Sequence, residues 1–133
     1  MKNIKTLVVA AAVFVSLLAP TVAQAKDIKT IGFNLPMYQG IAFTPGSLKG
    51  ATGGSSVMNI SDIAYGSYAV DGYLVNYDDF QRGNYATGLM QNTRSTIPNW
   101  SSAEQGYTYY FLTMNHSSVN YDAYISGSWA SDN

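Results

Sequence analysis

The chain has 133 residues, of which 47% are hydrophobic, 14% aromatic and only 11% charged, with no cysteine and a formal net charge of −1 at pH 7. This length predicts one domain, and the aromatic content argues against disorder, which needs low hydrophobicity and high net charge. Lys and Arg together number 7, too few for the clustered cations that follow a phosphate backbone, so no nucleic-acid partner is expected.

Residues 1–25 have the three-part pattern of a secretory signal peptide. Lys2 and Lys5 supply positive charge, residues 7–19 are apolar apart from Ser16, and 23–25 is a small-residue cleavage site. The apolar run is too short to span a membrane, and no second run of spanning length follows. We therefore expect a cleaved signal at 1–25 and a secreted single domain at 26–133 with no transmembrane segment.

Cleavage changes the charge of the working protein. Two of the 7 cations are lost with the signal and all 8 acids stay, so the mature chain has five cations and a formal charge of −3. Small extracellular domains often depend on disulfides, and none can form here. Stability must therefore come from the packed core of the mature domain.

Strands rather than helices are predicted from the first mature residues onward. Apolar residues alternate with Gly, Asn and Pro at 31–37, the period of a half-buried strand, and Pro36 places that strand at an edge or an end. The composition of 45–56, rich in Gly and Ser, predicts a loop. No window shows helical periodicity, and 12 glycines would weaken helices.

The dipeptide Asp71–Gly72 predicts a two-residue hairpin turn, because both residue types tolerate positive φ. Such a turn pairs Val70 with Tyr73, and the pairing continues along both strands. The face expected toward the core then consists of Tyr68, Val70, Tyr73, Val75 and Tyr77. A weaker strand is predicted at 85–90.

A second hairpin is predicted in the last third, with residues 115–118 as its loop. This register places Met114 opposite Val119 and Leu112 opposite Tyr121, on the side expected to carry Trp129 into the core. The opposite side is then expected to be a polar surface with four aromatic rings, namely Tyr107, Tyr109, Phe111 and Tyr124.

The spacing of strands and turns favours an all-β fold. About seven or eight short strands with frequent turn signals predict a small antiparallel β-sandwich. A small closed barrel is the alternative.

Few residues are suited to catalysis. Without cysteine there is no thiol nucleophile, and with His116 as the only histidine no multi-histidine zinc site forms. His116 lies beside Ser117 and Ser118, and we expect it to be an ordinary exposed loop histidine. Eight acids could supply the carboxyl pair of a glycosidase, although Glu104 is the only glutamate.

One oxygen-rich cluster indicates a calcium site. Asp71, Asn76, Asp78 and Asp79 are the densest group of oxygen ligands, and calcium takes such hard ligands. The alternative is a solvated hairpin end in which the same acids only improve solubility. Apart from calcium, no cofactor is predicted.

The aromatic residues indicate a binding surface. Tyr and Trp offer rigid, amphipathic contact area to sugars, lipids and proteins. Tyr107, Tyr109, Phe111 and Tyr124, with Trp100 from the 97–105 loop, form the predicted aromatic platform. The alternative is that a second sheet covers this face.

A resemblance follows from the export signal, the absence of cysteine, the Tyr-, Asn- and Ser-rich strands and the ending Tyr124–Ile125–Ser126–Gly127–Ser128–Trp129. The chain resembles small exported β-sandwich proteins of Gram-positive bacteria of uncharacterised function, and more distantly lactococcin-type bacteriocins. The resemblance implies an extracellular, non-enzymatic protein that acts on the envelope or cell-wall precursors of neighbouring bacteria. It assigns no site residues.

Three functions are therefore considered. The first is a secreted, non-enzymatic binding protein whose aromatic-rich surface contacts an envelope, glycan or protein partner. The second is a bacteriocin-like antimicrobial protein acting on neighbouring Gram-positive cells, and the third is a small secreted glycoside hydrolase. Low charge, many β-forming residues and an exposed sheet edge also predict self-association if the edges are unprotected.

Overall fold

The computed structural model describes residues 26–64 and 69–133, and within them it contains nine β-strands and no helix. The signal peptide predicted at 1–25 lies outside the described residues. The strands are β1 (Lys29–Leu35), β2 (Ile41–Phe43), β3 (Ser47–Leu48), β4 (Ser55–Ile63), β5 (Val70–Val75), β6 (Ala86–Leu89), β7 (Thr93–Pro98), β8 (Thr108–Asn115) and β9 (Ala123–Ala130).

The strands form two antiparallel sheets. The first sheet has the order β1, β9, β4, β7, and the second has the order β2, β8, β5, β6, with β3 also pairing with β8. The predicted all-β sandwich is confirmed, with nine described strands where seven or eight were expected. The two sheets remain separate, so these strands do not form the small closed barrel that was the alternative.

The first strand follows its sequence pattern. Ile31 and Leu35 are buried, whereas Gly32 and Asn34 between them are exposed. β1 is the edge strand of the first sheet and ends one residue before Pro36, because proline cannot donate to a ladder. The alternation therefore predicted the inner face of β1 and Pro36 its end, whereas Met37, the last apolar residue of the pattern, lies beyond the strand and is exposed.

The core lies between the sheets and is held together by two rings. Phe111 of β8 and Trp129 of β9, both with 0% exposure, lie with ring centroids 6.3 Å apart and planes tilted by 53°. The Trp129 indole N–H donates to the Pro45 carbonyl over 2.9 Å, which satisfies its only polar atom.

The predicted turn at Asp71–Gly72 is wrong, because both residues lie inside β5. Gly72 pairs with Thr113 of β8 and faces the core. A Cβ there would lie 2.5 Å from the Phe111 ring and 2.2 Å from the Leu112 carbonyl oxygen. The glycine therefore allows a close approach rather than a turn. Part of the predicted pairing, at Tyr68, falls outside the described residues.

The predicted hairpin around residues 115–118 is also wrong, because β8 and β9 belong to different sheets. β9 pairs with β1 and β4, and β8 pairs with β2, β3 and β5. The inner side of β9 was predicted correctly, since Ile125 and Trp129 are buried in the core. The inner side of β8 was reversed: Tyr109 and Phe111 face the core, and Leu112 lies on the outer side.

Candidate binding groove

The fold divides the predicted aromatic platform. Tyr109 is 3% exposed and Phe111 is fully buried, so both belong to the core between the sheets, where the first sheet covers them. Tyr124 is 44% exposed but lies on the outer side of β9, where its hydroxyl sits over Gly32. Only Tyr107 and Trp100 remain available on the predicted side, so the platform as a unit is wrong.

Trp100 is exposed and oriented by two hydrogen bonds. Its indole N–H donates to Asn84 Oδ1 over 3.0 Å, and its backbone N–H donates to the Arg82 carbonyl over 2.8 Å. These bonds attach the loop after β7 to the segment between β5 and β6.

The predicted calcium cluster does not come together. Asp71 lies within β5, where its carboxylate accepts the Gly88 N–H over 2.9 Å. Asn76 lies five residues further on, about 17 Å away at the rise of an extended strand. No group of three or more His, Asp or Glu residues suited to a metal ion occurs within the described residues. The acids at 78 and 79 instead belong to a solvated turn.

His116 lies in the loop between β8 and β9, as expected. Its Nδ1 accepts the Ser118 backbone N–H over 3.3 Å and lies 2.9 Å from the Ser118 hydroxyl. Its Nε2 lies 4.0 Å from Asp71 Oδ2. The ring is thus held by a residue of its own turn, and we assign it no catalytic role.

Two separately predicted groups meet in a groove that the sequence did not predict. The turn after β5 and the loop before β8 enclose a groove of about 300 Å³, which we call the loop groove. The side chains that matter for its chemistry are Asn76, Tyr77, Asp78, Arg82, Glu104 and Tyr107. It thus combines Asn76 and Asp78 of the predicted calcium cluster with two members of the predicted aromatic platform, exposed Tyr107 and buried Tyr109.

Local hydrogen bonds shape one wall of the loop groove. The Asn76 side-chain oxygen accepts the Phe80 N–H over 2.8 Å, and the Asn76 N–H donates to the Phe80 carbonyl over 3.1 Å. Asp79 has φ of +63°, a conformation that Asp and Asn adopt more readily than other non-glycine residues. The turn therefore closes upon itself and presents Tyr77 and Asp78 outward.

Buried Tyr109 positions the other wall. Its hydroxyl accepts the Glu104 backbone N–H over 2.7 Å. Because Tyr109 is fixed in the core, this bond anchors the loop that carries Glu104 and leads into Tyr107. Tyr109 thus contributes to the groove by holding a loop, although it is not itself an exposed contact residue.

The two tyrosines and the two acids of the groove are exposed and unpaired. Tyr77 is 83% exposed and Tyr107 is 62% exposed. Within the described residues, no hydrogen bond or ion pair engages the carboxylates of Asp78 and Glu104 or these two hydroxyls. The Arg82 guanidinium lies 5.9 Å from the Phe80 ring centroid. The two rings and the two carboxylates are therefore free to meet a ligand, whereas the Arg82 guanidinium already donates to the Gln81 carbonyl over 3.4 Å.

A larger cavity of about 550 Å³ lies beside β3, between residues 26–27 and the last residues of the chain. The two acids that line it, Asp27 and Asp132, are already paired with lysines outside the lining, whereas Lys26 is exposed beside them. Asp27 accepts the Leu48 N–H and contacts Lys29, which together hold the pKa of the Asp27 carboxyl below its usual range. Asp132 is paired with Lys49. With these acids engaged internally, the loop groove is the better ligand site.

Sequence reasoning missed two groove residues. Tyr77 was assigned to the core by extending the wrong hairpin, and Arg82 carried no signal of its own. Position 77 follows the last residue of β5 by two, so strand alternation no longer applies to it. A correct end for β5 would have predicted an exposed tyrosine in a turn.

Neither protein-family models nor curated proteins nor solved structures show significant similarity to this chain. Among the described residues, no helix has the length and apolar character needed to cross a membrane.

Proposed function

We propose that this protein is a secreted, non-enzymatic binding protein that takes glycan ligands in the loop groove. The observation that carries the proposal is the meeting of Tyr77 and Tyr107 with the unpaired carboxylates of Asp78 and Glu104 in one groove. The export signal in the sequence supports a role outside the cell.

The chemistry of the groove suits a saccharide. The C–H faces of a sugar ring pack against tyrosine rings, which are rigid and amphipathic. Carboxylate and amide oxygens accept hydrogen bonds from sugar hydroxyls, and a guanidinium donates to ring and hydroxyl oxygens. A volume of about 300 Å³ lies at the small end of ligand sites, which corresponds to about one or two sugar rings.

The charges of the groove favour neutral glycans over acidic ones. Asp78 and Glu104 outnumber Arg82, and the mature chain is expected to be negative overall. Like charges placed side by side in a site disfavour binding. We therefore expect uronic-acid and sulfated glycans to bind more weakly than neutral glycans of the same length.

The test is a glycan array that includes peptidoglycan fragments, probed with the mature protein and followed by calorimetric titration of the best saccharide. Tyr107→Ala and Tyr77→Ala should each weaken binding about tenfold or more, because each removes a ring from the groove. Tyr124→Ala is the matched control, since Tyr124 is exposed on the other sheet, and it should bind as the unchanged protein does. If the folded mature protein binds no glycan on the array, the proposal is refuted.

One observation favours a second candidate, a glycoside hydrolase. Asp78 and Glu104 line the same groove, and glycosidases use a pair of carboxyl groups across the scissile bond. The titration distinguishes the two functions when the recovered saccharide is analysed by mass spectrometry. Intact saccharide supports binding alone, whereas cleavage that is abolished by Glu104→Gln would establish the hydrolase.

A further inference from the structure

The two outer faces of the sandwich differ in chemistry. On the first sheet, the outward row across all four strands is polar and consists of Thr30, Ser128, Asn59 and Arg94. On the second sheet, the corresponding row is apolar and consists of Phe43, Leu112, Tyr73 and Tyr85. A sheet face turned to water is ordinarily polar, so the second sheet departs from the expected pattern.

This second surface, which we call the outer apolar face, continues beyond that row. Ile41, Phe43 and Tyr85 are 52%, 41% and 47% exposed. Between them, Leu112 and Val75 lie outside the core cluster and yet are only 7% and 0% exposed, because their neighbours cover them. The gaps between the large exposed side chains are thus filled by buried apolar side chains.

Charge is almost absent from the outer apolar face. Its one carboxylate, Asp71, accepts the Gly88 N–H and lies against His116, and no outward residue of these strands is Lys or Arg. Burial, followed by the nearby charge of Asp71, raises the pKa of the Tyr85 phenol, which therefore stays neutral at physiological pH. This face has no cation to bind anionic lipid, and it has no exposed charge to pair with a charged protein surface. A second copy brings almost no exposed charge against it, because Asp71 is only 6% exposed.

We propose that the outer apolar face is the docking surface for a second copy of the chain, with the two second sheets stacked face to face. Stacked sheets pack about 10 Å apart through interdigitating side chains, the same arrangement that forms the core of this molecule. The contact is isologous, so each copy presents the same patch. This proposal is independent of the loop groove and goes beyond glycan binding.

The size of the face sets the strength of the dimer. Four strands at about 4.8 Å and about six residues at about 3.4 Å give a face of about 20 Å by 20 Å, or about 400 Å². A standard stable interface buries about 800 Å² on each partner. The contact is therefore a weak, concentration-dependent dimer rather than a permanent one.

Sedimentation equilibrium of the mature protein up to about 1 mM tests the proposal. The mass should rise from monomer toward dimer, and Phe43→Lys and Tyr85→Lys should each raise the dissociation constant tenfold or more by placing charge on the face. Tyr124→Lys is the matched control on the outer side of the first sheet, and it should change the constant less than twofold.

Dilution NMR of the unchanged protein provides a readout that needs no variant. Amide shifts that change with concentration should cluster on β2, β5, β6 and β8. A mass that stays monomeric at about 1 mM would overturn the proposal. Concentration-dependent shifts confined to edge strands, whether β1 and β7 or β2 and β6, would also overturn it, since they would show association through sheet edges instead of through the face that β5 and β8 share.

Discussion

At the residue scale, glycines mark where two strands approach more closely than a side chain allows. Gly72 accommodates the Phe111 ring, and Gly127 of β9 accommodates the backbone of β4. A Cβ at residue 127 would lie 2.0 Å from the Asn59 carbonyl oxygen, a backbone atom that cannot move away without shifting β4. Gly32, by contrast, is crowded only by the end of the Tyr124 side chain.

Gly127→Ala should therefore lower the free energy of unfolding by about 3 kcal/mol, as overpacking against a fixed backbone does. Gly32→Ala should cost less than about 1 kcal/mol, because the Tyr124 hydroxyl end can rotate away. Urea denaturation of the two variants measures both values. Equal losses in the two variants would contradict this account of close approach.

At the element scale, the short strand β3 is held by a buried lysine. Lys49 is 0% exposed, and its ammonium donates to the Ser131 carbonyl and to Asp132 Oδ1, each over 2.8 Å. Asp132 also accepts the Gly50 N–H. Ser47 donates to the Asp27 carbonyl over 2.7 Å. These bonds fix β3 between Asp27 and residues 131–132.

Asp132→Ala should cost about 3 kcal/mol of stability, because it leaves the Lys49 ammonium buried with no countercharge. Lys49→Met should cost less, since the remaining Asp132 side chain is 20% exposed and can be hydrated. Thermal unfolding followed by circular dichroism compares the pair. If Lys49→Met lowers the unfolding temperature more than Asp132→Ala does, the buried ammonium is not what Asp132 stabilises.

At the scale of the whole molecule, the two sheets pack through side chains, and a β-bridge between Gly83 and Asn99 links the segment after β5 to the end of β7. Phe111 of the second sheet packs against Trp129 of the first, and Leu74 and Ile125 belong to the same buried cluster. Loss of a ring at this position opens a cavity between the layers. Stability then depends on how far the sheets can collapse into it.

Phe111→Ala should lower the free energy of unfolding by about 4 kcal/mol. Tyr107→Ala should change it by less than about 0.5 kcal/mol, because that ring is exposed in the loop groove. Guanidinium denaturation of both variants is the measurement. If the Phe111→Ala protein is folded and equally stable, Phe111 does not hold the core together, and the exposed position that the sequence predicted for it would be the correct one.

The errors of the sequence-based prediction have a common origin. Along β8, apolar residues occupy both sides of the strand, since Tyr109 and Phe111 face the core while Leu112 lies under the outer apolar face. Alternation then shows a strand but does not tell which side is inside. Along β1 one side is polar, and there the prediction was correct.

Local sequence by itself determined the all-β class, the two-layer architecture and the inner sides of β1 and β9, because these depend on patterns within about ten residues; the loop predicted at 45–56 instead contains β3 and the start of β4. It also predicts export, which stays a prediction. Only the tertiary structure decided that β8 and β9 lie in different sheets, that Asp71–Gly72 is a strand interior, and that Tyr77, Tyr107, Asp78 and Glu104 share one groove. Those features arise from contacts between segments far apart in the chain, and a local pattern carries no information about which distant segment will pack against it.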